Sequence, residues 1–112
     1  PSSSKHVVLI AGGLGITPMR SMLLDLAYKG QANNISLLHV ARDAFLYQDE
    51  LSKIDIPQYR VNRQGIDDVW SKLTEQAENK KYYICGSNRF VSGMIEKLNH
   101  DNIHDIVTED FM

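Results

Sequence analysis

The sequence predicts an α/β domain built on a parallel, doubly wound sheet of five strands. Three observations carry that prediction. Val7 to Ala11 is an unbroken apolar run rich in β-branched residues, the mark of a strand buried on both faces. Further extended runs follow, separated by segments whose apolar residues recur at helical spacing, and such alternation implies right-handed crossovers between parallel strands. The first run also ends in three glycines within four positions, Gly12, Gly13 and Gly15, just before a helical pattern begins.

Taken in order, the first strand is His6 to Ala11. Thr17 has the chemistry of a helix N-cap and Pro18 that of a first helical residue, since proline lacks an amide that would go unsatisfied there. Met19, Met22, Leu23, Leu26 and Ala27 form one apolar helical face, and Gly30 is placed to stop the helix. Asn33-Asn34 turns the chain into a second strand, Ile35 to Val40. Arg42-Asp43 follows, then a weakly helical segment from Gln48 to Lys53. Pro57 opens a third extended stretch, Tyr59 to Asn62, which Gly65 ends. A helix is expected from Asp67 to Glu78, with Val69, Trp70, Leu73 and Ala77 inward. The fourth strand is Lys81 to Cys85, ending at Gly86-Ser87-Asn88, where Ser87 or Asn88 is suited to cap the next helix. That helix runs from Arg89 to Asn99 and buries Phe90, Met94 and Leu98, and Ile103 to Val107 makes the closing strand.

Composition narrows the function. A chain of 112 residues has room for one core, and residues 1–5, opening on Pro1-Ser2-Ser3-Ser4, read as a linker or boundary to a domain of residues 6–112. A formal charge of −2 and no basic run argue against a nucleic-acid surface. No apolar run reaches the length of a membrane span, so direct membrane insertion is not expected. The single cysteine excludes an internal disulfide and suits a cytoplasmic setting. His100 and His104 stand four apart, but the segment changes from helix to strand between them, and no metal site is expected.

Ligands of doubly wound folds bind outside the carboxyl ends of the strands. Three strand ends here carry unusual residues, namely Gly12 to Thr17, Arg42-Asp43, and Cys85-Gly86, and a parallel sheet brings all three to one edge. Glycines without a Cβ let a pyrophosphate approach the backbone, and free amides at a helix N-terminus point at the anion. An arginine just past the second strand pairs with the 2′-phosphate of NADP, whereas an acid accepts from the 2′-hydroxyl of NAD. Arg42 and Asp43 offer both chemistries. Cys85 alone reads as a small apolar core residue.

The pairing of A-G-G-L-G-I-T-P (Ala11–Pro18) with Y-I-C-G-S (Tyr83–Ser87) and the terminal T-E-D-F (Thr108–Phe111) resembles the NAD(P)H-binding domain of the ferredoxin–NADP reductase family of flavoenzymes. Phenol hydroxylase reductases, cytochrome b5 reductases, flavohaemoglobins and ferric reductase-like proteins belong to that family. The resemblance runs from His6 to Phe111 and implies a Rossmann-like fold. It also implies an N-terminal FAD-binding domain in the same polypeptide, absent from this stretch, to which NADH or NADPH passes hydride. Electrons would then go to an iron–sulfur protein, a haem, ferric iron or another acceptor. The parent protein would be cytoplasmic, or anchored with this domain on the cytoplasmic side of a membrane.

By the same resemblance, Gly12, Gly13, Gly15, Thr17 and Pro18 form the pyrophosphate turn, with Thr17 both capping the helix and donating to cofactor or flavin. Cys85 and Glu109 are the implied catalytic positions, orienting the nicotinamide without nucleophilic attack. Arg42, Gly86 and Ser87 join the cofactor site, and Phe111 covers the flavin face. The family continues C-G-P where this chain has Ser87-Asn88, which leaves the shape of that turn open. Two other classes compete: a non-catalytic dinucleotide sensor or regulatory module, and a flavodoxin-like signalling domain. The latter needs an acidic cluster at the strand ends that this sequence lacks.

Overall fold

The computed structural model describes residues 5–111, and their side chains except those of Asp110 and Phe111. Five strands form: β1 (His6–Gly12), β2 (Ile35–Val40), β3 (Gln58–Val61), β4 (Lys80–Ser87) and β5 (Ile106–Phe111). They hydrogen-bond in the order β3-β2-β1-β4-β5, and every pairing is parallel. Four helices connect them: α1 (Ile16–Tyr28), α2 (Gln48–Leu51), α3 (Ile66–Thr74) and α4 (Asn88–His100).

Side chains alternate along each strand, so the continuous apolar runs divide into two cores. Val8, Ile10, Leu38, Val40, Tyr82 and Ile84 face Leu73 of α3 and Val91, Met94 and Leu98 of α4. Leu9, Ala11, Ile35, Leu37 and Cys85 face Ile16, Met19 and Leu23 of α1 and Leu51 of α2. Each fully buried leucine or isoleucine contributes about 1.5–3 kcal/mol, so both faces are needed to hold the sheet. Tyr82 is buried with its hydroxyl donating to the Leu73 carbonyl at 2.7 Å, which satisfies the one polar atom it brings inside.

Most element ends lie within one or two residues of the sequence expectation, and three boundaries depart from it for a clear local reason. The helical path begins before Thr17: Gly13–Gly15 makes a 3₁₀ turn that runs into α1, and the cap position falls on Gly15. Thr17 and Pro18 are therefore the second and third helical residues. Proline is tolerated there because amides of the first turn have no intrahelical partner. The helix expected to reach Glu78 stops at Thr74, because Glu75 is extended and Gln76 is left-handed (φ 52°). Ala77 still packs on the core, from a separate 3₁₀ turn over Ala77–Asn79. Ile103 does not open the last strand. Asn102 adopts φ 63° and donates to the Asn99 carbonyl while Ile103 donates to that of Leu98, the Schellman closure of α4. Ile103 is the buried residue that packs back on that helix end, and β5 starts at Ile106. The same closure, with Gly30 at φ 69°, ends α1 where expected.

Candidate functional site at the carboxyl edge of the sheet

β1 lies between β2 and β4, so the strand order reverses beside it, and the carboxyl ends of a doubly wound sheet open a crevice at that point. The turn from Gly12 to Gly15 occupies this position. Around it the ladder registers align Ala11 with His39 and Cys85, and Cys85 with Glu109. The strand ends singled out in the sequence thus meet at one edge.

The four glycines of the site do different work. A Cβ on Gly12 would lie 2.5 Å from the Phe90 ring. One on Gly86 would lie 2.9 Å from the same ring and 3.3 Å from the Gly12 carbonyl oxygen. A Cβ on Gly15 would collide with the Cys85 carbonyl oxygen and sit 2.6 Å from its carbon. These three let helix, turn and strand approach one another. Gly13 differs: its φ is +55° and a Cβ would meet nothing within 4 Å. It is the one of the four whose surroundings are open.

On the β2 and α4 side of the turn lies a cleft of about 760 Å³, lined by Gly12, Gly13, Leu14, Val40, Ala41, Arg42, Asn62, Arg63, Gln64, Ser87, Arg89 and Phe90. Three of these are arginines and none is an acid, although the chain as a whole carries −2. Arg42 is exposed, with Asp43 3.9 Å away and itself outside the lining. Ser87 caps α4, its Oγ accepting from the Phe90 amide at 3.1 Å. Arg63 and Arg89 went unnoticed in the sequence. The strand-end rule that found Arg42 applies equally to the end of β3, where Arg63 stands, and Arg89 follows directly on the Cys85–Ser87 turn.

Cys85 and Glu109 do not line this cleft. Cys85 points to the α1 face and is 1% exposed, packed with Leu9, Ala11 and Ile16. Glu109, exposed beside it across the ladder, accepts a hydrogen bond from the Tyr83 hydroxyl at 2.7 Å. Thr17 is exposed in the first turn of α1. Backbone pairing sets Phe111 opposite Ser87, and its side chain lies outside the described residues. The arginine-lined cleft thus lies to one side of the turn, while Cys85 and Tyr83 pack on the α1 face of the sheet with Glu109 bonded to Tyr83. Tyr83 stands in the fourth strand expected from the sequence, and its pairing with Glu109 depends on a register that no local pattern reveals.

Burial, and then the Glu109 charge, push the Cys85 thiol up to about 11. The Glu109 hydrogen bond, with burial behind it, raises the Tyr83 hydroxyl to about 12, and burial alone raises Tyr82 to about 12. All three groups are neutral in the folded chain where the unfolded chain has already begun to ionise. Below the ordinary cysteine value of 9.0 that preference costs nothing. As pH rises from about 9 toward 12 the unfolded state sheds protons the folded state retains, so stability falls. Urea midpoints are expected to drop between pH 8 and pH 11, less so in Tyr83→Phe. An unchanged midpoint would contradict these environments.

Among the described residues, no helix is long and apolar enough to cross a membrane, and no three His, Cys, Asp or Glu side chains cluster to hold a metal.

A family model described as an oxidoreductase NAD-binding domain matches residues 9–96. The chain is 32% identical to the phenol hydroxylase P5 protein of Acinetobacter pittii, over 99% of this chain and 38% of that protein. It is 30% identical to the flavohemoprotein of Oceanobacillus iheyensis, over 96% of this chain and 31% of that one. It therefore spans about a third of the length of these relatives. Among solved structures, the flavohem-like FAD/NAD-binding domain of nitric oxide dioxygenase from Vibrio cholerae O1 biovar El Tor superposes with a TM-score of 0.76 at 20% identity. It covers 99% of this chain and 53% of that one, and shows that the fold is shared.

Proposed function

The chain belongs to the oxidoreductase NAD-binding domain family, and on that premise we propose that residues 6–112 bind NADH or NADPH across the carboxyl edge of the sheet and present it to FAD. The FAD sits on a separate domain of the same polypeptide, a reading supported by the Vibrio cholerae structure, which is described as an FAD/NAD-binding domain and of which this chain covers 53%. The dinucleotide supplies a hydride; the protein supplies its place and orientation.

The observation that carries this reading is the open Gly13 turn beside a cationic, acid-free cleft. A pyrophosphate needs backbone amides it can reach and positive charge to replace its solvation. Gly13 offers the approach, and Arg42, Arg63 and Arg89 offer the charge. Gly12, Gly15 and Gly86 act one step back, by letting the Phe90 ring and the end of β4 close on the turn. Pro18 shapes the start of α1, and Ser87 fixes that of α4. In this reading the adenosine half lies in the arginine-lined cleft. The nicotinamide half crosses the turn toward Thr17, Cys85 and Glu109, and Phe111 covers the flavin face. A lone unpaired cysteine suits a cytoplasmic location. The electron acceptor beyond FAD is set by parts of the protein outside this chain.

Titration with NADH and NADPH, followed by amide NMR, tests the reading. Shifts are expected at Gly12 to Thr17 and at Arg63 and Arg89, with affinity falling as salt rises. Arg89→Ala is expected to weaken binding about tenfold, the worth of one charge-assisted hydrogen bond. No shift with either dinucleotide would refute it.

A further inference from the structure

β2 buries two polar side chains among its apolar ones, Ser36, which pairs with His6, and His39. His39 is 1% exposed, in register with Ala11 of β1 and Arg60 of β3. Its Nε2 lies 3.0 Å from the carbonyl oxygen of Gly13, and Phe45 packs edge-on against the ring, centroids 5.4 Å apart. A carbonyl oxygen only accepts, so Nε2 must carry the proton and donate. Nδ1 is buried with no hydrogen-bond partner among the described residues. A proton there would be stranded beside the Arg60 guanidinium, and burial first, then Arg60, hold the imidazole below its ordinary value. His39 is thus a neutral imidazole with a single fixed tautomer.

In a trans peptide the C=O and the following N–H point in opposite directions. We propose that His39 is a positioning residue for dinucleotide binding: by holding the Gly13 carbonyl inward, it turns the Leu14 amide outward to meet the pyrophosphate. The Gly13 carbonyl also accepts from the Ile16 amide, so side chain and helix start fix the same peptide from two sides. The need for a second hold follows from Gly13 itself. Its φ of +55° and open surroundings leave the peptide before Leu14 with little packing to fix it. A buried imidazole from the neighbouring strand supplies the missing restraint. This inference rests on the proposed dinucleotide reading.

The test compares His39→Leu, which fills the space without a donor, with His39→Gln, whose side-chain amide can reach the same carbonyl. Both are titrated with NADH and NADPH as the intact 112-residue chain. His39→Leu is expected to lose about tenfold in affinity and to lose the Leu14 amide shift, and His39→Gln to recover both to within about threefold. Nitrogen-15 imidazole spectra of the unsubstituted chain give a readout independent of whether His39→Leu folds. They should show the Nε2–H tautomer, with its resonance moving when dinucleotide is added. Wild-type affinity and an intact Leu14 shift in His39→Leu would overturn the role of His39. So would an Nδ1–H tautomer, or an Nε2–H resonance that ignores a dinucleotide to which Leu14 responds. Failure of the unsubstituted chain to bind either dinucleotide would instead overturn the reading beneath it, and the role of His39 with it.

Discussion

Gly15→Ala is expected to destabilise the chain by about 3 kcal/mol or more, the upper range for forcing a methyl into packed structure. The methyl would meet the Cys85 carbonyl oxygen and its carbon, and lie 3.0 Å from the Gly86 amide nitrogen. All three are backbone atoms of β4, which is held on both sides by the β1 and β5 ladders. No flexible side-chain end is available to move aside. Gly13→Ala is the control: it has the same chemistry but no neighbour within 4 Å, only the cost of a left-handed φ of +55°. That cost is about 1–2 kcal/mol. Thermal melts separate the two. For a domain of about this size, 3 kcal/mol lowers Tm by roughly 10–20 °C. Equal losses for both variants would mean that the turn moves freely off β4, and the close approach assigned to Gly15 would be wrong.

The contrast between those glycines also shows how far the sequence could be read. The strand limits were most legible where a strand is buried on both faces: Ile35 to Val40, buried at every position, matches to the residue, and His6 to Ala11 falls one residue short. The meeting of Gly12–Thr17, Arg42 and Cys85 at one edge followed from parallel topology alone. Which glycine is open and which is packed was not legible, since that depends on Phe90 arriving from α4 and on the end of β4 lying under α1. The end of α3 and the start of β5 were misplaced where the backbone turns left-handed at a residue other than glycine. Gln76 and Asn102 do this; hydrophobic periodicity marks neither, although asparagine is a residue type that tolerates the left-handed position. His39 sat unnoticed inside an apolar run for the same reason: its partner, Gly13, is 26 residues away and becomes a neighbour only when β2 pairs with β1.

Cys85→Ala is expected to slow reduction of FAD by NADH or NADPH about a hundredfold in the full-length protein, with dinucleotide affinity changed less than threefold. A shift of about 1 Å in a reacting group costs that much when catalysis is positional. The thiol is 1% exposed and pushed up to about 11, so near neutral pH it is a protonated, uncharged group with little nucleophilic character. Its contribution is therefore shape. Sγ fills the space under the start of α1, packed with Ala11 and Ile16, while Glu109 stands beside it across the β4–β5 ladder. Replacing it with alanine opens a small void at the floor on which the nicotinamide is proposed to rest. The floor can then settle toward the core, lengthening the hydride path without loosening the arginine-lined half of the site. A nucleophilic or ionising thiol would instead give a rate that changes between pH 7 and pH 9, and would react readily with iodoacetamide there. Both observations are expected to be negative. A hydride-transfer rate that is the same in Cys85→Ala and the unsubstituted protein would remove Cys85 from the site and leave it as core alone.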